Sequence, residues 1–405
     1  MSLINHDELK KQILSGEITS LDDITVEFKN ILKEVIQTAS QEELTSHLGY
    51  DKYQESTSSN ARNGYNEKTI NSKYGQFDVS IPRDRDSSFE PQLVKKREIY
   101  LDGTEDLILS LYTKGMSVRD IQLHLDDLYG YELSAQTISN ITEKVIEKAN
   151  EWQSRPLDKI YPIIFMDATV LKIRVDRVVK NIACYIMLGI SLEGKKEIIG
   201  IWIGENETSK YWLTVLNDIH KRGVKDVLIF AIDGLNGFNE AIKAVYPKAE
   251  IQRCIVHQIR SSLRFVSWKD RKAVAKDLKP VYAALNEEDG QIALTEFNDI
   301  WGKKYPNITA SWQNHWAELA TFFKYPDSVR KLIYTTNPIE SLNATIKRKT
   351  KSKGSFPTES SAFKVMYLAT QEQQNKWNMS SIRNWFEIYP QLCIFFSEIM
   401  SKYTK

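Results

Sequence analysis

Tyr161-Pro162-Ile163-Ile164-Phe165-Met166-Asp167 and Val227-Leu228-Ile229-Phe230-Ala231-Ile232-Asp233-Gly234 are two apolar runs, each closed by an aspartate. Runs this short, rich in β-branched and aromatic residues, read as buried strands. Ala183–Ile190 and Glu197–Ile203 read as two more strands, and Tyr211, Trp212, Val215, Leu216 and Ile219 fall at helical spacing. A strand meander, a helix and a further strand predict an α/β sheet, with Asp167 and Asp233 at the ends of its first and fourth strands. Adjacent central strands would bring the two carboxylates together. A third acid, Glu340, opens the helix-like segment Thr335-Thr336-Asn337-Pro338-Ile339-Glu340-Ser341-Leu342-Asn343. Two such aspartates and a helical glutamate can form an oxygen-rich cluster suited to a divalent metal and to phosphoryl transfer on nucleic acid.

Each acid also has a plain structural role open to it. Asp167 can cap the turn after its strand, and Asp233-Gly234 can be a tight turn. Asn337 as N-cap, Pro338 at the first helical position and Glu340 two residues later resemble a capping box. Cys254-Ile255-Val256-His257 has zinc-like spacing, but no second Cys/His pair completes four ligands.

Bulk properties narrow the class. The chain has 405 residues, 42% hydrophobic and 26% charged, an ordinary soluble composition with room for several domains. No run of about 18 apolar residues occurs, so a membrane span is not expected. The start, Met1-Ser2-Leu3-Ile4-Asn5-His6-Asp7-Glu8, lacks the basic and apolar regions of a signal peptide, and the three cysteines are scattered. A reducing cytoplasm is the expectation. The net charge of +1 does not advertise a nucleic-acid binder. Local charge does, because Arg253, Arg260 and Arg264 follow the second aspartate and Lys347, Arg348 and Lys349 follow the glutamate. Solvated helix faces are the alternative for both stretches.

Residues 1–50 carry helical spacing through Ile24, Phe28, Ile31, Leu32, Val35 and Ile36. In 51–100 the polar run Ser56–Asn60 and the alternating Phe77–Ile81 leave a small β-containing module or a linker. Within 101–155, Leu107, Ile108, Leu111 and Tyr112 make one helix, Ser117 caps a second and Ser134 a third, with Tyr129-Gly130-Tyr131 between them. This is a helix-turn-helix pattern, in which Gln136, Thr137, Ser139 and Asn140, then Lys144, would reach DNA; a helical bundle that merely packs is the alternative. Residues 255–334 read as helical and rich in Trp. Trp212, Trp268, Trp301, Trp312 and Trp316 could stack on unpaired bases or pack in a helical core.

The chain resembles the bacterial Mutator-type DDE transposases. The strings that carry the likeness run nearly end to end: Leu44–Tyr50, Arg62-Asn63-Gly64, Pro82–Arg85, Phe89-Glu90-Pro91, Leu111–Ser117, Trp152–Leu157, Asp233–Phe238, Gln252–Arg260 and Tyr334–Asn343. Pro338 stands where alanine is common and Asn236 where lysine is common. The resemblance implies an RNase H-like catalytic core interrupted by an all-helical insertion and preceded by a mainly helical DNA-binding region. It divides the core into 156–254 and 335–375, with the insertion at 255–334 and a helical tail at 376–405. It carries over Asp167, Asp233 and Glu340 as catalytic metal ligands, with Asp167 bridging two Mg²⁺ or Mn²⁺ ions. His257 would contact the scissile phosphate or orient a carboxylate. The implied partners are double-stranded DNA, as terminal inverted repeats and target, and a second copy of the chain or more; the implied location is the bacterial cytoplasm, on the nucleoid when DNA is bound. The implied reaction is cleavage at the element's ends followed by strand transfer, with a non-joining nuclease or a catalytically silent DNA-binding regulator as alternatives.

Overall fold

A computed structural model describes residues 10–11, 14–16, 18–54, 60–72, 74–95, 103–129, 131, 133–204, 209–234, 237–334, 337–351, 353–377 and 381–403. Residues 55–59, Gly130, Asn236 and 335–336 lie outside these, as do the side chains of Asn337 and Pro338 and with them the capping box expected there. The chain divides into two units, Met1–Glu143 and Lys144–Lys405.

In the first unit, helix α1 (Leu21–Leu48) begins at a true capping box. The Asp23 amide donates to Ser20 Oγ at 3.2 Å, and the Ser20 amide donates to the Asp23 carboxylate at 2.8 Å. Ile36 of α1 packs with Ile70, Val79, Ile81 and Val94 over an antiparallel hairpin, β1 (Arg62–Ser72) and β2 (Gly75–Asp84). The ambiguous segment is therefore a strand pair. Most of β1 is solvent-facing and polar, so it carries no readable alternation. Helices α2 (Thr104–Thr113), α3 (Val118–Tyr129) and α4 (Ala135–Ser154) follow. Ser117 accepts from the Asp120 amide at 3.1 Å and Ser134 from the Thr137 amide at 3.0 Å, the two caps expected.

The second unit is built on a five-stranded mixed sheet in the order β5-β4-β3-β6-β7. Its strands are β3 (Ile160–Val175), β4 (Val178–Ile190), β5 (Lys196–Gly204), β6 (Asp226–Ile232) and β7 (Glu250–Arg253). The first three form an antiparallel meander, and β6 and β7 extend the sheet in parallel with β3. Helices α5 (Ser209–Lys221) and α6 (Phe238–Val245) cover one face through Trp212, Leu216, Ile219, Phe238 and Ile242.

Asp167 does not end its strand, contrary to the expectation. The first half of β3 pairs on both sides and is wholly buried. Beyond Asp167, β4 is the one strand that continues alongside, joined at a single point by a parallel bridge from Ile173 to Phe356, and burial alternates out to Val175. A strand that changes from two-sided to one-sided pairing switches from a continuous apolar run to a period-two pattern, and the run alone marks only its first half. Asp176 and Arg177, both with positive φ (51° and 66°), close the hairpin as a two-residue turn.

Edge strand β5 is sheltered by side chains. Gln153 accepts from the Ile201 amide at 3.0 Å, Gln374 accepts from the Ile198 amide at 3.0 Å, and Arg155 donates to the Ile198 carbonyl at 2.7 Å. This gives the string Trp152–Leu157 a structural role, satisfying an open sheet edge.

From β7 the chain enters six α-helices among the described residues: α7 (Ile255–Arg264), α8 (Arg271–Ala283), α9 (Glu287–Trp301), α10 (Pro306–Asn314), α11 (Trp316–Leu319) and α12 (Asp327–Ile333). Helix α13 (Asn337–Lys351) and α14 (Glu359–Trp377) then return to the sheet, before α15 (Trp385–Phe395) and α16 (Ser397–Met400). No described helix is long and apolar enough to cross a membrane, and Cys184, Cys254 and Cys393 are not in disulfides.

Candidate active site

Met166 of β3 and Ile232 of β6 are paired in parallel register. The next residue after each is an aspartate, so Asp167 and Asp233 follow directly on a register pair of neighbouring strands, whose backbones lie about 4.8 Å apart. Ile164 and Met166 look toward α5 and α6. Alternation turns Asp167 to the opposite face, where Asn343 of α13 donates to its Oδ2 at 2.5 Å. Its Oδ1 accepts from the Ala168 amide at 2.8 Å, and the residue is only 5% exposed.

Glu340 lies on the same helix as Asn343, three residues earlier and so on the same face. Its Oε1 accepts from Arg260 at 2.6 Å and sits 3.8 Å from His257 Nε2. Both partners come from α7, which starts directly after β7 at buried Cys254. His257 thereby meets Glu340 and lies within electrostatic range of Asp167 and Asp233. Its contact with Cys254 is the main cause that pushes its pKa up to about 9; burial opposes the rise, and the charges of Asp233 and Asp167 add to it.

The turn after Asp233 is locked. Gly234 has φ +93°, and a Cβ there would lie 2.5 Å from the Arg253 guanidinium. Arg253 donates to the Gly234 carbonyl at 3.0 Å and to Glu318 at 3.3 Å. Gly234→Ala is therefore expected to cost about 1–2 kcal/mol from backbone strain, with more from displacing Arg253. Urea unfolding measures it, and an unchanged midpoint would mean that the turn relaxes freely.

The arginines and lysines expected to meet DNA separate into two kinds. Arg253 is engaged internally, with its side chain 15% exposed, and Lys349 is paired with Glu372. Arg260 is held by Glu340 but remains 59% exposed. Arg264, Lys347 and Arg348 are exposed. On α4, Gln136, Asn140 and Lys144 are exposed and Thr137 and Ser139 half-buried, with Gln136 donating to Asn140 at 2.9 Å.

Among the described residues no group of three or more His, Cys, Asp or Glu side chains is arranged to hold a metal ion. Glu340 is engaged by its ion pair with Arg260. The donor chemistry nevertheless suits a hard divalent ion. Asp167 is a buried carboxylate that accepts from one side-chain amide and one backbone amide and enters no ion pair among the described residues. Asn343 was missed by sequence reasoning, although its spacing from Glu340 on a common helix face could have signalled it.

A family model described as "Transposase, Mutator family" matches residues 4–380. A "Probable transposase for insertion sequence element ISRM3-like" of Sinorhizobium fredii (strain NBRC 101917 / NGR234) is 41% identical over 396 residues, covering 96% of this chain and 98% of that protein. The transposase for insertion sequence element ISRM3 of Rhizobium meliloti (strain 1021) has the same identity and coverage. The transposase for insertion sequence element IS905 of Lactococcus lactis is 35% identical over 339 residues, covering 83% of this chain and 86% of that protein.

Proposed function

The chain belongs to the Mutator family of transposases, and from that premise we propose that it binds the terminal inverted repeats of its insertion sequence and catalyses metal-dependent strand cleavage and strand transfer. The observation that carries the proposal is the register that sets Asp167 beside Asp233, with His257 at 3.8 Å from Glu340 and within the field of both aspartates. The sheet order, with one antiparallel meander and two parallel strands, supports reading the second unit as an RNase H-like core. The helices from Ile255 to Ile333, set between β7 and the Glu340 helix, support an insertion within it.

In this reading Asp167, Asp233 and Glu340 would hold two Mg²⁺ or Mn²⁺ ions. When bound, these supply an activated water or 3′-hydroxyl and stabilise the leaving oxygen of the phosphodiester. Asn343 fixes the Asp167 carboxylate, and the Arg253 bracket fixes the Asp233 turn. His257 carries a proton beside the acids and orients Glu340. Arg260, paired with Glu340 here, would be free for a DNA phosphate were Glu340 to hold an ion. Helix α4, through Gln136, Thr137, Ser139, Asn140 and Lys144, reads the repeat, while Lys347 and Arg348 hold backbone. Two element ends require at least a dimer on DNA.

The test is Mg²⁺-dependent nicking and joining of a labelled terminal-repeat duplex by the wild type and by Glu340→Gln. Activity in the wild type alone, at equal melting temperature, supports the proposal. Nicks without joined product would point to a nuclease, and a silent wild type that still binds the repeat to a regulator. Activity retained in Glu340→Gln would remove Glu340 from the ligand set.

A further inference from the structure

The tryptophans fall into different surroundings. Trp212 and Trp312 are buried, and Trp301 and Trp316 donate to Asp277 and Glu287 at 3.0 Å each. Trp268 is 85% exposed, and Phe265 beside it 68%. Both sit in the turn between α7 and α8. Large aromatic side chains left in water at neighbouring positions, on a turn that is otherwise anchored, call for a ligand.

The turn is firmly held. Val266 is buried beneath it. Ser267 donates to Asp270 at 2.9 Å, Tyr305 donates to Asp270 at 2.6 Å, and Lys304 pairs with the same carboxylate. These contacts neutralise the one acid of the segment. What remains exposed is cationic: Arg264, Lys269, Arg271 and Lys272, none of which enters an ion pair among the described residues. Arg264 lies over the Phe265 ring and Arg271 over the Trp268 ring, each 5.7 Å from the centroid. Exposed rings interleaved with unpaired guanidinium and ammonium groups match a nucleobase stacked on a ring with its phosphates on the flanking charges. An acidic peptide would use the cations and leave the rings wet.

The position links this patch to the acids. His257, Arg260 and Arg264 recur at spacings of three and four along α7 and share one face. His257 and Arg260 meet Glu340, and Arg264 is one turn farther, about 6 Å along the axis. A strand whose phosphate lies at the acids and which follows this stripe arrives at Phe265 and Trp268.

We propose that Trp268 and Phe265 form a stacking site for an unpaired base of single-stranded or locally opened DNA next to the cleavage point, with Arg264, Lys269, Arg271 and Lys272 holding its backbone. This rests on the transposase reading of the same site. Its test is fluorescence anisotropy on the full chain with a labelled oligothymidylate and, separately, a labelled duplex. Trp268→Ala is expected to weaken oligothymidylate binding by about 5- to 150-fold, the range for losing one stacked base, with duplex binding within about twofold of wild type. Trp268→Phe should restore most of the loss, because a flat ring remains. Unchanged single-strand binding in Trp268→Ala, or an equal loss on both DNAs, would overturn the stacking site while leaving the transposase reading intact. A wild type that binds neither DNA would overturn both.

Discussion

Asp167→Asn is expected to abolish strand cleavage and joining without destabilising the protein. The amide keeps an oxygen to accept from Asn343, which now meets Asp167 Oδ2 at 2.5 Å. What it loses is the negative charge at the centre of the sheet, the charge that would help hold the proposed metal ions. Charge stabilisation of several kcal/mol, at about 1.4 kcal/mol per tenfold, sets the expected loss on the order of a thousandfold or more. Stability should hold, since the lower cost of burying a neutral amide at a site only 5% exposed offsets the bond from the Ala168 amide that the new NH2 cannot accept. The readout is joined product per hour beside a thermal melt. Activity within tenfold of wild type would show that Asp167 is a structural acid; a collapsed melt would assign the loss to folding.

Trp212→Ala is expected to give the largest stability loss among the tryptophans. Its ring is fully buried between the sheet and the covering helices, edge-on to Tyr185 at 4.3 Å and to Phe238 at 4.8 Å. Removing a buried indole leaves a cavity and should cost about 3–5 kcal/mol in urea unfolding. Trp268→Ala, on an exposed turn, should stay within about 0.5 kcal/mol. If both variants unfold alike, the core beneath α5 and α6 is looser than its packing implies. The same residue type thus separates a packing role from a binding role, and it makes Trp268→Ala a clean probe of the stacking site.

How far the site was legible follows from the range of each signal. The strands of Asp167 and Asp233 were visible because centrally buried strands are apolar on both faces. The caps at Ser117 and Ser134 were visible because they act over three residues. Strand β7 was not: its four residues, Glu250–Arg253, are too few to show a period. The second half of β3 was hidden for a related reason, because its alternation begins only where β6 stops.

By itself, then, the sequence determined the α/β class, the two aspartates on apolar runs, the helical segment after them and the family likeness, since these depend on local pattern or on strings of consecutive residues. Only the tertiary structure decided which groups meet. It put Asp167 beside Asp233 through strand register, brought Asn343 and Arg260 to the acids from positions distant in the chain, engaged Arg253 internally, and left Trp268 in water while burying Trp212. The physical reason is that contact, burial and charge pairing depend on distance in space, and one dimension of sequence carries that distance only over a few residues.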